Sequence, residues 1–172
     1  MGKVQNTLDN GLISFIGQQK LFFVATAPLQ GDGMVNTSPK GYKTFTIFDE
    51  KTVGYLDYPG SGNETARHIE ENGRLTIMFC SFDERPLILR LLGKGEIIDK
   101  SSSKFSDYAA HFGERLGSWT RQIIILRIEK VKSSCGEAVP FFQYTGEREQ
   151  LHDWAVNMES MGRLDDYIIK HK

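Results

Sequence analysis

The stretch Leu21-Phe22-Phe23-Val24-Ala25-Thr26-Ala27-Pro28-Leu29-Gln30-Gly31-Asp32-Gly33-Met34-Val35-Asn36-Thr37-Ser38-Pro39 carries the logic of the whole chain. Leu21–Thr26 is dominated by aromatic and aliphatic residues, the composition of a buried strand. Pro28 stops the run, and Gln30-Gly31-Asp32-Gly33 provides the flexible backbone of a turn that joins antiparallel neighbours. Met34–Ser38 reads as the returning strand, ended by Pro39. A strand answered by a strand across a short turn is the unit from which the rest follows.

The same unit recurs downstream. Phe45–Phe48 and Thr52–Asp57 flank the turn Asp49-Glu50-Lys51. Leu75–Phe82 alternates as a strand, and Pro86–Ile98 forms a long one in which Gly93 and Gly95 mark a bulge or sharp curvature. Gln122–Lys132 alternates charge with Ile125, Leu126, Ile128 and Val131. Helices are inserted between these strands. Leu8, Leu12, Phe15 and Ile16 have helical spacing, with Thr7 or Asn6 as the N-cap. Thr65–Asn72 forms a short helix closed by Gly73, and Ser101–Phe112 places Phe105, Tyr108, Ala109 and Phe112 on one face. Glu147–Lys172 ends the chain as a helix or helix pair broken near Gly162. Six or seven strands in hairpin-like succession without βαβ alternation predict a mainly β, α+β chain: an antiparallel barrel with peripheral helices. Its 172 residues fit one domain over 1–172, with 147–172 as a helical extension.

Composition excludes several classes of function. Lys and Arg total 21 against 22 Asp and Glu, so non-specific attraction to nucleic acid is not expected. No apolar run approaches the ~20 residues of a bilayer-spanning helix, and the N-terminus lacks the pattern of a signal peptide. The two cysteines, Cys80 and Cys135, are far apart and read as free thiols of a cytoplasmic protein. Four scattered histidines offer no metal-ligand spacing, so no metal site is expected.

Four segments have the chemistry of a site. Ser61-Gly62-Asn63-Glu64-Thr65-Ala66-Arg67-His68 runs from a small-residue turn into a helix start, where unpaired N–H groups and the helix dipole favour an anion such as phosphate. A plain helix capped by Asn63 explains the same residues. Val35-Asn36-Thr37-Ser38-Pro39-Lys40-Gly41 ends a strand with small polar groups able to read the edge of a heteroaromatic ring, or else forms a loop with a solvated lysine. Cys135, in Ser133-Ser134-Cys135-Gly136, lacks an evident base and reads as a buried or half-buried structural thiol rather than a nucleophile. Arg90 interrupts an apolar strand and must meet water, a carboxylate or a bound anion. Trp119 and Trp154 read as packing residues, with a pocket border as the less common alternative.

In their order, Phe22–Pro28, Val35–Gly41, Tyr55–Asp57 with Gly60–Thr65, Arg74–Phe79, Ile88–Gly95 and Ser134–Gly136 with Val139-Pro140 resemble the pyridoxamine 5′-phosphate oxidase-like flavoproteins, in particular their small uncharacterised branch. The resemblance spans about Ile13–Phe142. It implies a split β-barrel, a homodimer, and FMN in a groove at the subunit interface. By the same resemblance, Asn36, Thr37, Ser38 and Lys40 hold the isoalloxazine edge, and Lys40 tunes the flavin. Leu56, Asp57, Ser61, Gly62, Asn63 and Thr65 hold the ribityl phosphate. Ser134 and Cys135 reach the flavin from the partner subunit. The implied activity is FMN-dependent oxidation or reduction of an unknown small molecule, with a nicotinamide nucleotide as a possible reductant. Flavin binding without turnover, or deazaflavin or haem in the same barrel, are the alternatives. Where pyridoxamine-phosphate oxidases carry Ser-Arg-Lys at the helix start, this chain has Asn63-Glu64-Thr65, which points away from pyridoxamine phosphate as substrate.

Overall fold

A computed structural model describes residues 2–171. Its eight strands are β1 (Lys3–Gln5), β2 (Phe22–Thr26), β3 (Asn36–Lys40), β4 (Phe45–Ile47), β5 (Thr52–Asp57), β6 (Arg74–Cys80), β7 (Leu87–Asp99) and β8 (Gln122–Cys135). The helices are α1 (Asn10–Gln18), α2 (Glu64–Asn72), α3 (Phe105–Ala109), α4 (Gln150–Ser160) and α5 (Leu164–Lys170). The strands form one curled sheet in the order β3-β2-β6-β7-β8-β5-β4, with every pairing antiparallel. This is the expected split-barrel class.

Two long strands organise the sheet. β8 pairs with β7 along its length, while its other edge takes β5 over Gln122–Arg127 and β1 over Val131–Ser133. The sheet therefore forks along β8. The bulge expected at the glycines of β7 is a register shift between Leu92 and Gly93. A Cβ on Gly93 would lie 1.9 Å from the Arg127 carbonyl oxygen, so only glycine allows the two strands to close there.

Burial explains the strand sequences. Phe22, Val24, Val53, Tyr55, Ile77, Phe79, Leu89, Leu91, Ile124 and Leu126 meet inside the curl, with Leu12, Phe15 and Ile16 of α1 against them. On the other side of the same strands, Leu56, Ile98, Ile123 and Ile125 meet Ala109 and Phe112. Residues 123–126 are apolar without alternation because β8 is covered on both faces here. Each such side chain removed from water contributes about 1.5–3 kcal/mol.

Several boundaries differ from expectation for local reasons. α1 is capped by Asp9, whose carboxylate accepts from the Leu12 N–H at 2.9 Å, rather than by Thr7 or Asn6. β3 continues through Pro39 because it is an edge strand, where a missing donor is tolerated. Ser101–Phe112 is helical only over Phe105–Ala109, because Ser101 bonds Asp99 and Ser102 accepts from Lys104 N in turns. β1 had no signal in the sequence. The break near Gly162 falls as expected, with φ +65° at that glycine.

Candidate functional site

β5 ends at Asp57, which faces Gln122 across the β5–β8 pair. Asp57 is 3 % exposed and Arg121 4 %, so a charge on either needs a partner. Asp57 Oδ2 accepts from Arg121 Nε at 2.9 Å and Nη2 at 2.7 Å, and from Gln122 Nε2 at 2.9 Å. Lys40 Nζ lies 3.5 Å from Oδ1. Gln122 Nε2 also donates to Asn63 Oδ1 at 3.0 Å, and Arg121 Nη1 donates to the carbonyls of Gly62 and His171. The cluster therefore clamps the segment leading into α2. It also alters the start of that helix: Asn63 gives α2 no side-chain cap, since its amide oxygen is engaged by Gln122. The first N–H groups of α2 are left without a side-chain acceptor from the cap.

A second network approaches α2 from the opposite sheet edge. Asn36 Nδ2 donates to Thr65 Oγ1 at 2.9 Å and to Thr26 Oγ1 at 3.2 Å. Thr26 Oγ1 also lies 3.0 Å from Nδ1 of the buried His68. Both amide hydrogens of Asn36 are thereby engaged. The Thr65 hydroxyl accepts from Asn36, so its own hydrogen is available to an incoming acceptor.

Together these networks bring Asn36, Lys40, Asp57, Gly62, Asn63 and Thr65 to one end of the sheet beside the start of α2. Ser61 is exposed there, Thr37 is exposed and Ser38 half-buried on β3. Glu64 pairs with Arg67 at 2.9 Å on the solvent side of the same turn. Leu56 turns its side chain into the second core at 1 % exposure, which leaves only its backbone toward the site. Asp57 and Asn63 hold the local architecture through Arg121 and Gln122. Lys40, expected beside a flavin, is ion-paired to Asp57.

Ser134 and Cys135 lie elsewhere. They sit at the opposite end of β8 from Gln122, paired with Ile88 and Leu87 at the start of β7. Ser134 accepts from Arg90 Nη1 at 3.2 Å, which answers where that guanidinium goes. Cys135 is exposed rather than buried or half-buried, because it closes the free end of β8, whereas Cys80 is buried and its thiol is pushed up by desolvation. Phe23, Met78, Arg90 and Lys132 are cross-strand partners on this outer face, while their neighbours Val24, Ile77, Leu91 and Val131 point into the core.

Arg121, Gln122, Thr26 and His68 were missed by sequence reasoning. The signal for the first two is a cation and an amide immediately before the buried run Ile123–Leu126, facing an acid at the end of another buried strand. Nothing in the spacing marks Thr26 or His68. Burial pushes the Tyr55 phenol well above 10.0, with Asp57 adding to the effect; its hydroxyl has no partner among the described residues. Among the described residues, no group of three or more His, Cys, Asp or Glu side chains is placed to hold a metal.

The profile of the pyridoxamine 5′-phosphate oxidase family matches residues 11–135. The chain is 37% identical over 167 residues to the pyridoxamine 5′-phosphate oxidase family protein ustO of Aspergillus flavus, covering 95% of this chain and 67% of that one. The solved structure of HupZ from Group A Streptococcus is similar at 26% identity and TM-score 0.58, over 72% of this chain and 91% of that one. Two more distant structures show the fold alone. A pyridoxamine 5′-phosphate oxidase-related, FMN-binding protein of Nostoc punctiforme has 12% identity and TM-score 0.53, over 72% and 82% of the two chains. The haem storage protein HutZ of Vibrio cholerae has 20% identity and TM-score 0.51, over 71% and 90%.

Proposed function

The chain belongs to the pyridoxamine 5′-phosphate oxidase family, and from that premise we propose that it is an FMN-dependent oxidoreductase acting on a small molecule. One observation carries the reading: α2 starts without a side-chain cap, beside a Thr65 hydroxyl that Asn36 holds as an acceptor and so frees as a donor. Open N–H groups, a helix dipole and an oriented hydroxyl suit a phosphate monoester. The donor set thus fits the phosphate end of FMN.

In this reading, Ser61, Gly62 and Thr65 receive the phosphate, while the Asp57–Arg121–Gln122–Asn63 cluster fixes the turn that presents them. Asn36, Thr37, Ser38 and Lys40 lie along the ring edge, where the free Oδ1 of Asn36 accepts and Lys40 keeps a positive charge near the ring through Asp57. FMN supplies the hydride chemistry when bound. The residues contribute binding, orientation and electrostatics; none stands as an acid or base at a reacting atom. Ser134 and Cys135 join the site from a second copy, which docks through the outer sheet face bearing Phe23, Met78 and Arg90. The half-buried apolar side chains on that face support a homodimer. Two free thiols suit a cytoplasmic setting, and no described helix is long and apolar enough to cross a membrane.

The test is the visible spectrum of the purified protein after FMN addition and desalting, followed by anaerobic addition of nicotinamide nucleotides. Retained flavin bands that bleach with a nucleotide support the oxidoreductase. Bands that never bleach with any reductant or substrate tried leave a flavin-binding protein without turnover. A chain that retains haem or deazaflavin and no FMN overturns the assignment.

A further inference from the structure

Next to Asp57 in sequence, Tyr58 belongs to a different surface. Its ring lies 6.2 Å from Tyr42 and 6.4 Å from Trp119, at interplanar angles of 62° and 67°. Trp119 in turn meets His152 of α4 at 5.1 Å and 87°. These rings line a pocket of about 240 Å³, which Leu151 of α4 also borders. The rings are held in place. A Cβ on Gly117 would come within 2.5–2.8 Å of the indole, so Trp119 rests directly on backbone. The Tyr58 hydroxyl donates to the Arg115 carbonyl at 2.8 Å, and the Tyr42 hydroxyl donates to the Arg148 carbonyl. Tyr42 itself has φ +57°, a conformation that a bulky residue adopts only when its surroundings hold it there.

The charges at the rim are unequal. Arg115 lines the pocket, but its five N–H groups are directed to the carbonyls of Phe112, Lys43, Phe45 and His111 and to Thr46 Oγ1. It has no donor left for an anion, and its positive charge, spread over these neutral acceptors, stands at the pocket wall beside Glu114. Glu114, also lining the pocket, makes no hydrogen bond or ion pair among the described residues. With both phenol hydroxyls engaged, the pocket presents aromatic surface and a free carboxylate.

We propose that this pocket binds a small organic cation of the quaternary ammonium class. Such a cation has no N–H to satisfy and gains from ring quadrupoles and a nearby carboxylate, which is what Tyr42, Tyr58, Trp119 and Glu114 offer together. The proposal stands on these residues and is independent of the flavin reading.

The experiment titrates the full chain with tetramethylammonium and choline, following indole fluorescence. The chain has two tryptophans, so Trp154→Phe leaves Trp119 as the only reporter. The neutral isostere 3,3-dimethyl-1-butanol is titrated in parallel. Saturable binding of the cations is expected, with the isostere about tenfold weaker or worse. By calorimetry, Trp119→Leu abolishes the signal and Trp119→Phe retains most of it. Glu114→Gln, an exposed change that leaves the fold intact, weakens the cations severalfold and the isostere not at all. Equal binding of isostere and cation would overturn the proposal in favour of a plain apolar pocket. Absence of saturation with either cation, or indifference to Glu114→Gln, would overturn it as well.

Discussion

Asp57 and Tyr58 are adjacent in sequence and serve two regions built on opposite terms. Around Asp57, every charge is answered inside the chain: Arg121, Lys40 and Gln122 converge on one carboxylate. Around Tyr58, both phenol hydroxyls are engaged by backbone, and Glu114, without a partner among the described residues, lines the pocket beside a guanidinium bound only to neutral oxygens. The first region holds a shape for something else to use. The second offers its own surfaces. A buried charge with partners therefore marks architecture, and a carboxylate without one beside aromatic rings marks recognition.

Removing one partner breaks the first region hardest. Arg121→Leu leaves Asp57 buried without its main counter-charge, at a cost of about 3–5 kcal/mol. For a chain of this length that lowers Tm by roughly 10 °C or more, read by thermal unfolding. Asp57→Leu combined with Arg121→Leu should recover much of the loss; a double variant as unstable as the single one would show that the pair is not the issue. Next comes Ser61→Ala with Thr65→Ala, which should weaken FMN about tenfold to thirtyfold while leaving riboflavin affinity unchanged, as each net hydrogen bond contributes ~1 kcal/mol. Equal loss for both flavins would move the phosphate away from α2.

Gly117→Ala tests the second region. The added methyl group displaces the Trp119 ring, so fluorescence should shift with little change in unfolding temperature. An unshifted spectrum would mean the indole has another stable seat. The smallest effect lies outside both regions. Asp9→Ala removes the α1 cap and costs ~1 kcal/mol. The Leu12 N–H, with help from Gln5, holds the Asp9 carboxyl below 3.8. Its folded value is depressed, so its contribution is complete above 3.8 and is lost as pH falls through the folded value. The difference between wild type and variant should close in that acidic window and nowhere else.

The strands were largely legible because burial on one or both faces writes itself into residues such as Phe22–Thr26 and Ile123–Leu126. The Gly93 bulge was legible because no other residue fits against Arg127. For the candidate site the sequence offered less: the small polar residues around Asn36 and Ser61–Thr65 are poor core material, but each segment alone also reads as a loop or a capped helix, and only the family resemblance joined them. Arg121 and Gln122 were not legible, because their role depends on β5 and β8 lying side by side, a contact between residues more than sixty positions apart. Asn63 misled for the same reason. It has the side chain of a cap, and a distant amide had taken its oxygen. Local rules describe what a residue can do; long-range pairing decides which of its options is used.

The segment 136–149, between the end of β8 and the start of α4, has no regular structure, and its last ten residues are exposed. It nonetheless determines how the aromatic pocket behaves on dilution. Leu151 and His152 reach the pocket from the far end of this tether, His152 against Trp119, so closing the pocket is intramolecular, with a local concentration of order millimolar. A single protease cut at the exposed Phe141 or Phe142 would turn that closure into an encounter between two fragments. The wall contributed by α4 would then persist in a concentrated sample and be lost in a dilute one.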